Sequence, residues 1–136
     1  MQLVQLEDWR LFFKEGDDYL GTAVRAAARR REVFTAEILY NLAAMAIEKY
    51  FMALLMAHGD LADNHTMRDL IHSMERHLSL EPEFKERLLF LDGFQEICDL
   101  KGYRRTPPGE AELAQILATA AEVRDFVTSQ VGGIVR

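Results

Sequence analysis

Ile38-Leu-Tyr-Asn-Leu-Ala-Ala-Met-Ala-Ile-Glu-Lys-Tyr-Phe-Met-Ala-Leu-Leu-Met-Ala57 is the most apolar stretch of the chain, and its reading decides the fold. Asn41, Glu48 and Lys49 interrupt it well short of the eighteen or so uninterrupted apolar residues that a membrane span requires. It therefore reads as a buried helix of a soluble protein, running from roughly Phe34 to Ala57. Phe34, Ile38, Leu42, Met45, Ala46, Ala53 and Leu55 lie nearly all round its axis, as a central helix touching several neighbours requires. Gly59 ends it.

Four further helices follow from the spacing of apolar residues on either side. Trp9, Phe12, Phe13, Leu20, Ala23, Val24 and Ala27 recur at three- and four-residue steps, which predicts a first helix from about Asp8 to about Arg31. Gly16 weakens that helix without ending it. Asn64 stands as an N-cap before a short third helix carrying Met67, Leu70, Ile71, Met74 and Leu78. Glu81 and Pro82 open a fourth, with Phe84, Leu88, Leu91, Phe94 and Cys98 inward. A loop over Lys101 to Gly109 precedes the fifth, about Glu110 to Gln130, whose inward residues are Leu113, Ile116, Leu117, Ala120, Val123 and Val127. Strand-type alternation is absent. The expected fold is all-α: an antiparallel up-and-down bundle of four long helices plus one short one.

Length and charge narrow the function. The 136 residues make one domain, with its core over about 8–130, and no linker or repeat divides them. Sixteen Lys and Arg against twenty-two Asp and Glu leave a net charge of −6, which disfavours nonspecific duplex binding by whole-molecule charge. The single Cys98 excludes an internal disulfide and suits a reducing, cytoplasmic compartment. Met1 to Arg10 lacks the basic end and apolar run of a secretory signal, so the mature chain is expected to begin here.

The residues that invite chemistry fall in a few places. His58, Asp60, Asp63 and His65 crowd the connection after the second helix, but a polar, capping-rich turn explains them better than a metal site. No His-Glu-x-x-His, phosphate-binding Gly-x-x-x-x-Gly-Lys or Gly-x-Ser-x-Gly motif occurs, nor the Glu-x-x-His pairs of di-iron bundles. Cys98 sits on an apolar stripe, as a small core residue does. No catalytic, metal or cofactor-binding residue is assigned. Glu48 and Lys49, in the middle of an apolar helix, must reach solvent, a ligand or an opposite charge. With Asn41, seven residues before Glu48, they either line a polar groove or form an inter-helix ion pair with an Arg. Arg25, Arg29, Arg30 and Arg31 suit the negative end of the first helix dipole. Lys101-Gly-Tyr-Arg-Arg-Thr-Pro-Pro108 has no such local reason. Tyr103, Arg104 and Arg105 on a Pro-stiffened loop suit phosphate capture and base stacking, although a solvated loop is the plain alternative.

Ala46-Ile-Glu-Lys-Tyr-Phe-Met-Ala-Leu-Leu55, followed by His65-Thr-Met-Arg-Asp-Leu-Ile71 and by the basic Tyr-Arg-Arg loop before the last helix, resembles the HEPN domains (higher eukaryotes and prokaryotes nucleotide-binding) over about Asp8 to Gln130. The resemblance implies a helical bundle, frequently a homodimer, that works beside a minimal nucleotidyltransferase or within toxin–antitoxin and RNA-processing systems. Many members are metal-independent ribonucleases that use an Arg followed after four to six residues by a His near the last helix. That signature is missing here, and with it the usual proton-transfer group. Met52 also replaces a Lys frequent in the family. The expectation is thus a non-catalytic, dimerising HEPN-like module, with Asn41, Glu48, Lys49, Tyr103, Arg104 and Arg105 lining a groove for a nucleotide, an RNA or a partner protein. The rival is a ribonuclease toxin with relocated groups, His65 or His72 acting beside Arg68.

Overall fold

The computed structural model describes residues 6–62, 64, 66–95 and 108–134. These form five helices and no strand: α1 (Leu6–Arg29), α2 (Ala36–Ala57), α3 (Met67–Met74), α4 (Pro82–Gln95) and α5 (Glu110–Ile134). The all-α class follows from the apolar spacing.

α2 is the centre. By length and composition it could cross a membrane, but 67% of its most apolar window is buried against the other helices. α1 and α5 pack against it along most of their length, and α3 closes its C-terminal half. Tyr40 reaches the fourth helix as well, its buried hydroxyl donating to the Leu91 carbonyl at 2.7 Å. Leu39, Tyr40, Ile47, Tyr50, Phe51, Leu54 and Leu55 are almost wholly buried. Leu88 and Leu91 of α4 and Ile116, Val123 and Val127 of α5 complete the core around them.

α1 lies so close to α2 that no side chain fits between them at one point. A Cβ on Gly16 would stand 2.9 Å from two ring carbons of Tyr50. Gly16 is therefore the point of nearest approach, which explains a residue that costs helix stability in the middle of α1.

The end of α2 is set by Gly59, whose φ of +75° is in the left-handed region. The Asp60 N–H donates to the Leu55 carbonyl and the Gly59 N–H to that of Met56, the double closure of a Schellman turn. This turn aims the Asp60 carboxylate back across the molecule.

Several boundaries differ from those the spacing predicts. The N-cap of α3 is Thr66, not Asn64: its Oγ1 accepts from the Asp69 N–H at 3.1 Å and donates to the Asp69 carboxylate at 2.7 Å. α3 ends at Met74, so Leu78 packs from the following turn. α5 continues past Gln130 to Ile134. Val24 is 50% exposed, and on α2 Ile38 and Met45 are 43% and 40% exposed. Those two share with Asn41 the one side of α2 that no described helix covers, so the central helix is open along a strip. Phe94's side chain and Cys98 lie outside the described atoms.

α3 is eight residues long, too short to persist without its cap. Thr66→Ala removes both halves of the reciprocal bond and is expected to cost about 1 kcal/mol, with amide exchange in α3 accelerated ahead of the other helices. Uniform acceleration across the fold would show that α3 does not open on its own.

Candidate functional site

Of the six residues expected to line a groove, the structure describes Asn41, Glu48 and Lys49; Tyr103, Arg104 and Arg105 lie outside the described residues. Asn41 is exposed and Glu48 half-buried on the open side of α2, and Glu48 has a polar partner of its own. Lys49 turns the other way. Its ammonium sits 2.9 Å from Glu15 of α1 and 4.8 Å over the Phe12 ring. The ion pair that Lys49 makes between helices is thus not the one with an Arg weighed from the sequence: Lys49 is the cation and a carboxylate of α1 its partner.

Two described helices, α4 and α5, both reach the start of α2. α4 is tied to Tyr40 through the Leu91 carbonyl. On α5, Arg31 forks onto both carboxylate oxygens of Glu110 at 2.8 and 2.6 Å, and Leu113 packs in one cluster with Leu39, Ala23 and Ala26. Of the four arginines expected to answer the helix dipole, Arg31 instead clamps α5 to the α1–α2 corner.

Two charged clusters go beyond the sequence reading, the first wholly and the second in its partners. In the first, Asp17 of α1 accepts from the Tyr50 hydroxyl at 2.5 Å and from Arg124 of α5 at 2.7 Å, linking the three longest helices. Burial alone would raise the Asp17 carboxyl, but the bonds from Arg124 and Tyr50 outweigh it and hold Asp17 below its ordinary range. Burial, and next the bond to Asp17, push the Tyr50 phenol far above its usual value. This network is a clamp rather than a proton relay.

The second lies at the far end of α2. Asp60 accepts from Arg76 at 2.9 Å, from His77 Nε2 at 2.7 Å and from the Leu61 N–H at 2.8 Å. His58, the C-cap of α2, stacks on the His77 ring with centroids 4.6 Å apart and planes 15° from parallel. Its Nε2 is buried with no hydrogen-bond partner, and burial followed by repulsion from His77 lowers its proton affinity. The four residues come as two close pairs, His58 with Asp60 and Arg76 with His77, on either side of α3, and only the Gly59 turn shows in advance that Asp60 doubles back. Asp63 and His65 lie outside the described residues. Among the described ones no three metal-ligating side chains converge.

Among the described residues, a concavity of about 450 Å³ lies between α4 and α5, and another of about 390 Å³ between Trp9, Phe13 and the end of α5. A further one of about 210 Å³ contains Arg68 and His72 from one face of α3 together with Lys85, whose ammonium is held by Glu75 at 2.9 Å.

No protein-family model, curated protein or solved structure matches this chain.

Proposed function

We propose that the chain is a non-catalytic HEPN-like module that binds a nucleotide or RNA, or a partner protein such as a minimal nucleotidyltransferase, as one half of a toxin–antitoxin-type pair. The observation that carries this reading is the open strip of α2. A central helix with neighbours on its other sides keeps Ile38, Asn41, Met45 and Glu48 outward or half-outward, and α4 and α5 both contact α2 near its start. Tyr103, Arg104 and Arg105 supply the ring and guanidinium groups, and Asn41 and Glu48 the amide and carboxylate, that holding a phosphate and reading a base edge call for.

The pairing of elements supports the same reading. Gly16 meets Tyr50 while Ala23 and Ala26 cluster with Leu39, so α1 and α2 run in opposite directions; Arg87 with Glu122 and Phe84 with Phe126 give the same relation for α4 and α5. Two antiparallel pairs are compatible with the up-and-down order that the resemblance implies. The apolar part of the strip, Ile38 and Met45, offers a face for the homodimer that the resemblance also implies, and a cytoplasmic setting fits the single thiol.

The test is binding of labelled single-stranded RNA and of nucleotides to the parent protein and to Arg104→Ala with Arg105→Ala. Affinity is expected to fall about tenfold or more, since each charge-assisted contact to phosphate contributes about 1.5–3 kcal/mol, with the melting temperature held within about 2 °C. Equal loss of binding and stability would make the loop a structural element. No binding by the parent to either probe would leave the protein-partner form, to be read by co-purification with the product of a neighbouring nucleotidyltransferase gene.

One observation favours a ribonuclease as the second reading: Asp60, His77 and Arg76 bring a carboxylate-oriented imidazole and a guanidinium together. Cleavage of labelled RNA by the parent that disappears in His77→Ala would support it; intact RNA would remove it.

A further inference from the structure

We propose that the groove between α4 and α5 is a docking site for a basic amphipathic helix of a partner protein. Phe84 and Phe126 meet at 5.1 Å with their planes tilted by 53°, and Arg87 forks onto both carboxylate oxygens of Glu122 at 2.9 and 2.5 Å. Arg87 and Glu122 also line a space of about 450 Å³ between the two helices, bounded by Glu83, Glu86 and Phe90 on α4 and by Gln115, Ala118 and buried Thr119 on α5.

The chemistry of the occupant follows from this lining. Small side chains at Ala118 and Thr119 let a foreign backbone come near α5, and Phe90, 39% exposed, offers an aromatic edge. Gln115 to Glu122 spans two turns, about 10 Å, a length along which a partner helix can lie. Its charge is one-sided. Three carboxylates stand against one guanidinium, and that guanidinium is consumed by Glu122. Among the described residues neither Glu83 nor Glu86 makes an ion pair within 4 Å, although Glu83 adds to the field that holds the charge on Arg87, so both can take Lys or Arg from outside. The same field repels phosphate, which sets this face apart from the arginine-bearing segment. The proposal therefore stands whether or not the nucleotide reading holds.

The experiment is fluorescence anisotropy of the full chain with a labelled Leu/Lys peptide of about four helical turns, and with its Leu/Glu counterpart, at about 0.15 M salt. The Leu/Lys peptide is expected to bind about tenfold or more tightly than the Leu/Glu one. Ala118→Trp fills the groove without changing charge, and Glu83→Lys with Glu86→Lys reverses the rim. Each is expected to weaken Leu/Lys binding about tenfold or more, while Glu32→Lys with Asp125→Lys, both outside the groove, leaves it unchanged. All five positions are exposed, so melting temperatures should stay close to the parent value. Equal weakening by the outside pair would reduce the effect to net charge and overturn the proposal, as would full binding by Ala118→Trp. A parent dimer that Ala118→Trp converts to monomer in light scattering would also overturn it, by making the occupant a second copy of this chain.

Discussion

Gly16→Leu is expected to destabilise the protein by about 3 kcal/mol, at the upper end of what forced overpacking costs, and Gly16→Ala by about 1–2 kcal/mol. The sign for alanine is not obvious, because replacing glycine inside a helix ordinarily gains about 1 kcal/mol. It is decided by what the new methyl group meets. Its nearest neighbours would be Cδ1 and Cε1 of Tyr50 at 2.9 Å, closer than carbon atoms pack. The ring cannot retreat: Tyr50 is wholly buried, Phe13 lies edge-on at 5.1 Å, and the hydroxyl is tied to Asp17. Either α1 lifts away from α2, loosening the Asp17–Arg124 link with it, or the ring leaves its bond. Gly21 is the internal control. A Cβ there meets only the far end of the flexible Arg25 side chain, at 3.0 Å, so Gly21→Ala is expected to stabilise by about 0.5–1 kcal/mol. Denaturant midpoints moving in opposite directions for the two alanine variants would verify the contact; a gain at both would show that α1 does not press on Tyr50.

Acid is expected to weaken the fold in two separable windows. His58 is held neutral in the folded state, its proton affinity lowered first by burial and then by His77. The unfolded chain binds that proton near the ordinary value of 6.5, and the folded chain only at lower pH. Below pH 6.5 the unfolded state therefore holds more protons, and stability falls as the pH falls, by at most about 1.4 kcal/mol per pH unit for one group. Asp17 and Asp60 have depressed folded values, so their contribution is complete above the ordinary carboxylate value of 3.8 and is lost as the pH drops through it to the folded value, from about pH 5 downward. His58→Phe separates the windows. A phenyl ring keeps the stack on His77, removes a buried nitrogen that has no partner, and cannot take a proton. The variant is expected to be as stable as the parent or more so at pH 7.5, to lose the slope between about pH 6.5 and 5, and to keep the carboxylate limb below. Urea midpoints measured across that range decide it. An unchanged slope in His58→Phe would place the titration elsewhere.

The apolar spacing made all five helices legible, because each buries one face and the intervals of three and four survive in the chain. The α2 assignment was the least ambiguous, since no other element could hide so continuous an apolar run. Ends were read less well. Thr66 and Asn64 are both good caps, and only the reciprocal bond with Asp69 separates them. Among the residues weighed for function, Lys49 shows the same limit. Its need for a partner was plain from its apolar surroundings, but Glu15, thirty-four positions earlier, was one acid among many until α1 lay against α2. The Asp60–Arg76–His77 cluster was half visible: the crowding of polar groups after α2 marked the place, while its partners came from beyond α3.

Local pattern, taken alone, determined that this chain is helical, where its helices lie and which one occupies the middle, because the free energy of hiding apolar surface depends on spacing along one element. Which side of α2 stays open, why Gly16 must be glycine, which carboxylate holds which cation and what lines the space between α4 and α5 were decided only by the tertiary structure. Those properties are distances between atoms remote in sequence, and both steric repulsion and ion pairing depend on distance and surroundings rather than on order along the chain.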